Sequence, residues 1–298
     1  MSNNTILLIP NKFFVKLKFK KMLRNGLYII STPIGNLQDI SPRGIDTLKQ
    51  ADIIACEDTR VAKKLFTLLG LPLSKRFIKY EDHSEEKNAQ TIIDLINEDH
   101  VVALISDAGA PLISDPGYKL VRKCREQDIY VTAIPGACAV ITALQLSGLP
   151  TNRFMFTGFI PNKDKARQDL FNELKNINTT LIFYETAPRL LKTLEQAADI
   201  FAGREIAVCR ELTKMYEETV CGSIDEVIAH FTAEEPRGEF VLMIAPPQEQ
   251  EFKIADVRDI LRRRLQETSL KTAVKEICAE YNLSKNEVYA LALEIKDE

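Results

Sequence analysis

From Gly26 onward, short apolar runs alternate with longer amphipathic stretches. GLYIIST, DIIACED, FIKYED, VVALISD and IYVTAIP are brief and rich in β-branched residues, and they predict buried strands. Between them SPRGIDTLKQA, TRVAKKLFTLLG, EKNAQTIIDLINED and GYKLVRKCREQD carry helical periodicity, and ACAVITALQLSG follows as a fifth helix. Ser41 is placed to cap the first of these and Gly70 to end the second. Strands alternating with helical stretches of about 10–15 residues predict a mostly parallel sheet covered on both faces. The block closes at Gly148-Leu149-Pro150, which bounds a first domain at residues 26–149.

A second α/β block spans residues 150–247. FMFTGFI, TTLIFYE, EIAVCREL and GEFVLMIAP predict strands, and KARQDLFNELKNI, PRLLKTLEQAADIF and SIDEVIAHFTA predict helices, with EETVCG preceding the last. Pro246, Pro247 and the polar QEQE form a linker signal. Residues 252–298 then hold three amphipathic helices, ADVRDILRRRLQE, SLKTAVKEICAEYN and SKNEVYALALEI. The last two flank a short turn at Asn282-Leu283-Ser284, a helix-turn-helix pattern. The expected fold class is therefore α/β, with two α/β domains and a small C-terminal helical, helix-turn-helix-like domain.

Composition changes this picture little. The 298 residues suit two domains with an appendage, and 45% hydrophobic with 27% charged residues excludes global disorder. The net charge of −3 requires any nucleic-acid surface to be local. Six cysteines, none at metal-ligand spacing, and only three histidines predict core thiols and no metal. No apolar run reaches the ~18 residues of a membrane span, so no membrane span is expected; the location expected for the chain is cytoplasmic. Residues 1–25 form an N-terminal extension whose basic cluster follows its apolar stretch, the reverse of a signal peptide. Met22 precedes the first strand, so residues 1–21 are taken as an upstream extension or a disordered basic tail.

Chemistry concentrates in the loops after strands, where open α/β sheets bind ligands. Four are rich in glycine, proline and small polar residues: 31–44, 106–117, 134–139 and 183–189. The sharpest is Ser106-Asp107-Ala108-Gly109-Ala110-Pro111, continuing to Pro116-Gly117. Glycines that permit unusual backbone angles and prolines that fix others present backbone N–H and C=O groups at little ordering cost. Such groups suit a ligand with an adenine, a ribose and an amino-acid tail; tight turns with no ligand are the alternative. There is no dinucleotide-type GxGxxG and no phosphate-binding GxxxxGK[ST].

TPIGNLQDIS, CEDTR, SDAGAPLISDPG, IPGACA, FTGFIP, FYETAPR and RELTKMYEE, in that order, resemble the tetrapyrrole-methylase superfamily. The match is to the branch that 2′-O-methylates cytidine 1402, at the decoding centre of 16S ribosomal RNA. The resemblance runs from about Gly26 to Pro246, and the C-terminal helices resemble that branch's extra domain. It implies a cofactor cleft between the two α/β domains, S-adenosylmethionine as cofactor, 16S rRNA within the small ribosomal subunit as partner, and a homodimer. Carried over, the cofactor positions are Pro33, Ser106, Asp107, Ala108, Gly109, Ala110, Pro111, Ile113, Pro135, Gly136, Cys138, Tyr184, Glu185 and Thr186. The segment Tyr80-Glu81-Asp82-His83-Ser84-Glu85 departs from the family pattern: Glu81 stands where a histidine is usual and Ser84 where an asparagine is usual. That weakens a catalytic role for it.

Methyl transfer to a ribose hydroxyl needs in-line positioning, with a base or a cation for the developing alkoxide. Asp58, Asp107, Glu185, Glu211 and Lys214 are candidates, and Asp58 and Lys214 are taken as the catalytic pair. The same residues also fit as helix caps and surface ion pairs. RNA contact is expected from Lys163, Lys165 and Arg167, and from Arg262, Arg263 and Arg264, with Lys271, Lys275 and Lys285 nearby; solvated helix faces are the alternative. Two rival functions remain open on the residues alone. One is a small-molecule tetrapyrrole methylase, disfavoured by the added helices. The other is a ligand-sensing DNA-binding regulator, disfavoured by the mixed charges of those helices.

Overall fold

A computed structural model describes residues 23–81, 85–233, 235–247, 257–281 and 283–297. The expected tail over residues 1–21, His83 and the QEQE linker lie outside the described residues. The chain forms two compact units, Met1–Pro246 and Pro247–Glu298.

The first unit contains two sheets. The first is built from β1 (Gly26–Ile30), β2 (Ile53–Cys56), β3 (Arg76–Lys79), β4 (Val101–Ile105) and β5 (Val131–Ile134). Its order is β3-β2-β4-β1-β5 and every pairing is parallel. The intervening helices are α1 (Pro42–Gln50), α2 (Thr59–Leu68), α3 (Glu85–Asn97) and α4 (Tyr118–Glu126), and α5 (Ala139–Leu146) follows β5. Successive strand residues feed opposite cores. Ile30, Ile54 and Ala103 join Leu48 and Phe66 on one face, while Leu27, Ile53 and Val102 join Ile92 and Leu120 on the other. This is why the strands are continuous apolar runs rather than alternating ones. Ser41 caps α1 as expected, its Oγ accepting from Gly44 N at 3.0 Å, with Pro42 at the first helical position.

The second sheet comprises β6 (Phe154–Phe159), β7 (Thr180–Thr186), β8 (Glu205–Arg210), β9 (Glu218–Ser223) and β10 (Glu239–Ile244), in the order β6-β7-β10-β8-β9. Its helices are α6 (Asp164–Leu174), α7 (Leu190–Ile200) and α8 (Ile224–Ala233). Only β6 and β7 run parallel; β10 is antiparallel to β7 and β8, and β8 to β9. The loop from Glu211 to Glu217 is too short for a crossover, so β8 and β9 must form a hairpin. Val140, Ala143 and Leu144 of α5 pack with Ile182, Ala207, Val241 and Met243 of this sheet. A helix of the first block thus forms part of the second block's core.

The second unit is α9 (Arg258–Glu267), α10 (Leu270–Tyr281) and α11 (Lys285–Asp297), closed around Leu261, Val274, Ile277, Val288 and Ala292. Among the described residues no helix is long and apolar enough to cross a membrane.

Candidate active site

The loops after β1, β4 and β5 are tied to one another through backbone. Thr32 N donates to Gly109 O at 2.8 Å and Gly109 N returns to Thr32 O at 3.2 Å. Thr32 Oγ1 donates to Ser106 O at 3.1 Å, and Ser106 Oγ to Gly109 O at 3.2 Å. Gly109 sits at φ 82°, where a Cβ would also lie 3.1 Å from Ile34 Cγ2. Leu112 and Ser114 hold φ of 73° and 65°, a conformation that L side chains rarely adopt. Two such residues in one loop mark stored backbone strain of about 1–3 kcal/mol each. A Cβ on Gly136 would stand 2.9 Å from Ser31 Cβ, so the third loop also approaches the first closely.

The second sheet contributes side chains. Tyr184 lies edge-on to Phe156 and Phe159, with ring centroids 4.8 and 5.3 Å away, and burial pushes its phenol up to about 12. Glu185 is buried, accepting from Thr186 N and Thr193 Oγ1 at 2.7 Å each and pairing with Arg189. In the β8–β9 loop, Lys214 Nζ lies 2.9 Å from both Glu211 Oε1 and Glu239 Oε2. Burial opposes the Lys214 charge, but the two carboxylates outweigh it and raise its pKa. For Glu211 burial acts upward, yet Lys214 and the Glu239 N–H together hold its carboxyl below the ordinary range. The first-block loop docks on this triad. Asn36 N donates to Thr213 Oγ1 at 3.0 Å, and a Cβ on Gly35 would meet Lys214 Cγ at 2.5 Å.

Between these parts lies a cavity of about 310 Å³. Asp107, Ala108, Gly109, Ala110, Ile113, Cys138, Tyr184, Glu185, Thr186 and Lys214 line it. Pro33, Ser106, Pro111, Pro135 and Gly136 stand behind the lining; Ser106 shapes the loop through its hydroxyl. The sequence reasoning did not single out Ile34, Phe159, Leu212, Glu239 and Val241, which also line it. Ile34 and Leu212 sat inside motifs already recognised, and their apolar character was the available signal. Glu239 enters only through the antiparallel placement of β10. Lys214 is the one basic side chain among the described lining residues, against Glu57, Asp107, Asp115, Glu185 and Glu239. Burial raises the Asp107 carboxyl.

Asp58 departs from expectation. It is outside the lining and caps α2, its Oδ1 accepting from Arg60 N at 2.7 Å, while its own N–H donates to Asp107 Oδ1 at 3.2 Å. The Arg60 guanidinium holds its carboxyl far below the usual range, which makes it a poor proton acceptor. Its backbone N–H thereby steadies Asp107, while its carboxylate is engaged by Arg60.

The expected RNA contacts divide. Lys163 and Lys165 are exposed. Arg167 is 1% exposed, paired with Asp164 at 2.7 Å and donating to Gln196 Oε1, so it is a core anchor unavailable to phosphate. Arg264 ties α9 to α10 through Glu276 and Glu280 at 2.7 and 3.2 Å. Arg262 lies 3.5 Å from Asp259 and is 44% exposed, and Arg263 is exposed.

The cavity is thus walled by a strained glycine loop of one sheet and by Tyr184, Glu185 and Lys214 of the other, and comparison with known proteins assigns the class. The family model for tetrapyrrole (corrin/porphyrin) methylases matches residues 26–228, and that for the RsmI C-terminal HTH domain matches residues 253–296. The chain belongs to the tetrapyrrole methylase family and is a methyltransferase. Within that family it groups with proteins named ribosomal RNA small subunit methyltransferase I. It is 46% identical to that of Rickettsia prowazekii, covering 91% of each chain, and 48% identical to that of Erythrobacter litoralis, covering 92% of this chain and 96% of the relative. Diphthine synthase shares the fold at 15% identity with a TM-score of 0.58, over 74% of this chain and 89% of the other. A cobalt precorrin-4 methyltransferase does so at 15% identity and a TM-score of 0.52, over 74% and 94%.

Proposed function

We propose that this protein transfers a methyl group from S-adenosylmethionine to the ribose 2′-hydroxyl of a decoding-centre cytidine in 16S rRNA, acting on the small ribosomal subunit as a cytoplasmic homodimer. The observation that carries the reading is likeness to rRNA methyltransferases over nine-tenths of both chains, with the C-terminal helical unit included. The cavity fits the cofactor's chemistry. Backbone from Asp107 to Ala110 offers hydrogen bonds to polar groups, Ile34, Ile113, Leu212 and Val241 offer apolar contact for an adenine, and the excess of carboxylates favours a cationic ligand. Bound there, S-adenosylmethionine supplies an electrophilic methyl group.

The remaining work falls to the chain's own residues. Lys214, kept protonated by Glu211 and Glu239, offers its ammonium to the negative charge growing on the hydroxyl oxygen. Glu239 is the most exposed carboxylate of the triad and is the acceptor nearest to hand for the hydroxyl proton. The strained loop from Gly109 to Gly117 fixes the donor side without movement. Lys163, Lys165 and Arg263 are exposed basic side chains that can meet phosphate.

The test uses radiolabelled S-adenosylmethionine and small subunits from cells lacking this protein. Label at one alkali-resistant linkage of 16S rRNA is expected, because a 2′-O-methyl prevents the oxygen from cleaving the chain. Cofactor binding without label on subunits or free rRNA would overturn the reading and direct attention to tetrapyrrole substrates.

A further inference from the structure

Beside the cavity, on the far side of the Glu211–Lys214–Glu239 triad, lies an open depression of about 400 Å³. Arg210, Glu211, Tyr216, Arg237 and Gly238 line it. The two spaces share the triad as a wall, since Lys214 and Glu239 face the first and Glu211 the second.

Tyr216 is 68% exposed and its neighbour Met215 89%. The backbone that carries them is braced. Glu211 and Thr213 take φ of 48° and 64°; Lys214 N donates to Glu211 O at 2.9 Å, Glu217 N to Lys214 O at 3.2 Å and Thr213 N to Glu217 Oε2 at 2.5 Å. Asn36 of the other block pins the turn from outside. Backbone strain and cross-links thus fix a turn that displays an aromatic ring to water. In the same depression Arg237 pairs at 2.9 Å with Glu235, both more than three-quarters exposed, an arrangement that exchanges readily for another anion. Arg210 donates to Arg237 O at 3.0 Å and so braces that strand end. Lys214, shared with Glu239, partly offsets the Glu211 carboxylate, and the guanidiniums of Arg210 and Arg237 line the same depression; Gly238 is required beside Glu211 because a Cβ there would meet Glu211 Oε1 at 2.4 Å.

An exposed aromatic ring on a braced turn, with a weakly engaged guanidinium, is the chemistry that holds one unpaired nucleotide, by stacking on its base and pairing with its phosphate. We propose that Tyr216 and Arg237 hold a single-stranded RNA nucleotide flanking the methylated one, and so position the target ribose at Lys214. This rests on the rRNA reading above. Tyr216 acts here as a positioning residue.

The test compares full-length wild type, Y216A, Y216F, Y216W and R237A. Two readouts are used: KM and kcat on small subunits, and anisotropy binding of a fluorescent single-stranded oligoribonucleotide carrying the target sequence. Y216A is expected to weaken oligonucleotide binding and raise KM for subunits about 10-fold, with cofactor affinity and melting temperature unchanged. Y216F and Y216W restore both, because a ring and not a hydroxyl is needed. R237A weakens binding and lowers the slope of log K against log salt by about one. Equal oligonucleotide binding by wild type and Y216A, equal losses in Y216A and Y216F, or no binding by wild type would each overturn the proposal. Failure of the rRNA reading shows separately, as wild type that leaves subunits unmethylated, while the oligonucleotide comparison still decides the role of Tyr216.

Discussion

The two sheets of the first unit meet at one cavity but bring different things to it. The parallel sheet brings backbone: its three loops are laced by Thr32, Ser106 and Gly109, and its side chains at the cavity are small or apolar apart from a few carboxylates. The mostly antiparallel sheet brings chemistry: Tyr184, the Lys214 triad and the exposed Tyr216. A parallel sheet presents all its strand ends, and hence its loops, on one edge, so it can form a continuous cradle. A hairpin such as β8–β9 projects side chains from a short turn whose geometry its strands hold. The division sets a backbone-laced loop surface against a charged turn; in the proposed reaction the first would face the methyl donor and the second the acceptor.

The division breaks most strongly at Lys214. K214A should lower kcat by about 10²–10³-fold while leaving cofactor affinity nearly unchanged, measured by single-turnover methylation and calorimetry. Equal loss in both quantities would place Lys214 on the donor side. The reverse experiment is G109V. Its added Cβ must take φ 82° and meet Ile34, so cofactor binding should weaken about 5–100-fold, with any remaining kcat much less affected.

Next in size is a contrast between two arginines that the sequence treats alike. R167A removes a buried guanidinium from Asp164 and Gln196 and should cost about 2–3 kcal/mol in chemical denaturation. R263A should change stability by less than about 0.5 kcal/mol and instead weaken binding to subunits. The pH profile then tests the triad. The Glu211 contribution is present above its ordinary 4.5 and is lost as pH falls through its lowered value. That of Lys214 is present below its ordinary 10.5 and is lost as pH rises through its raised value. A rate profile flat between those limits is expected; an inflection near neutrality would point to a different group. The smallest effect is D58N, which should keep kcat within about threefold, where a general base would cost ~10²–10⁴.

Much of this was legible in the residues. Continuous apolar runs such as VVALI mark strands buried on both faces, and the Gly/Pro loops mark the cavity's edge. Asp58 and Arg167 show what a motif leaves open: a charged side chain does not say whether its partner is a neighbour or a ligand. Asp58 found Arg60 two residues away, and Arg167 found Gln196 on another helix. Glu239 was passed over because its strand pairs between two earlier ones, and pairing order is not written in local periodicity.

The sequence by itself determined which segments are strands and helices, where the cradle loops fall and which family the chain joins, because hydrophobic period, glycine and proline act locally. Only the tertiary structure decided that Lys214 sits between Glu211 and Glu239, that Asn36 pins its turn, and that Tyr216 is held out in water. The Lys214–Glu239 pair and the Asn36–Thr213 bond join residues 25 and 177 positions apart, and contacts at such separation are set by packing, not by neighbours along the chain.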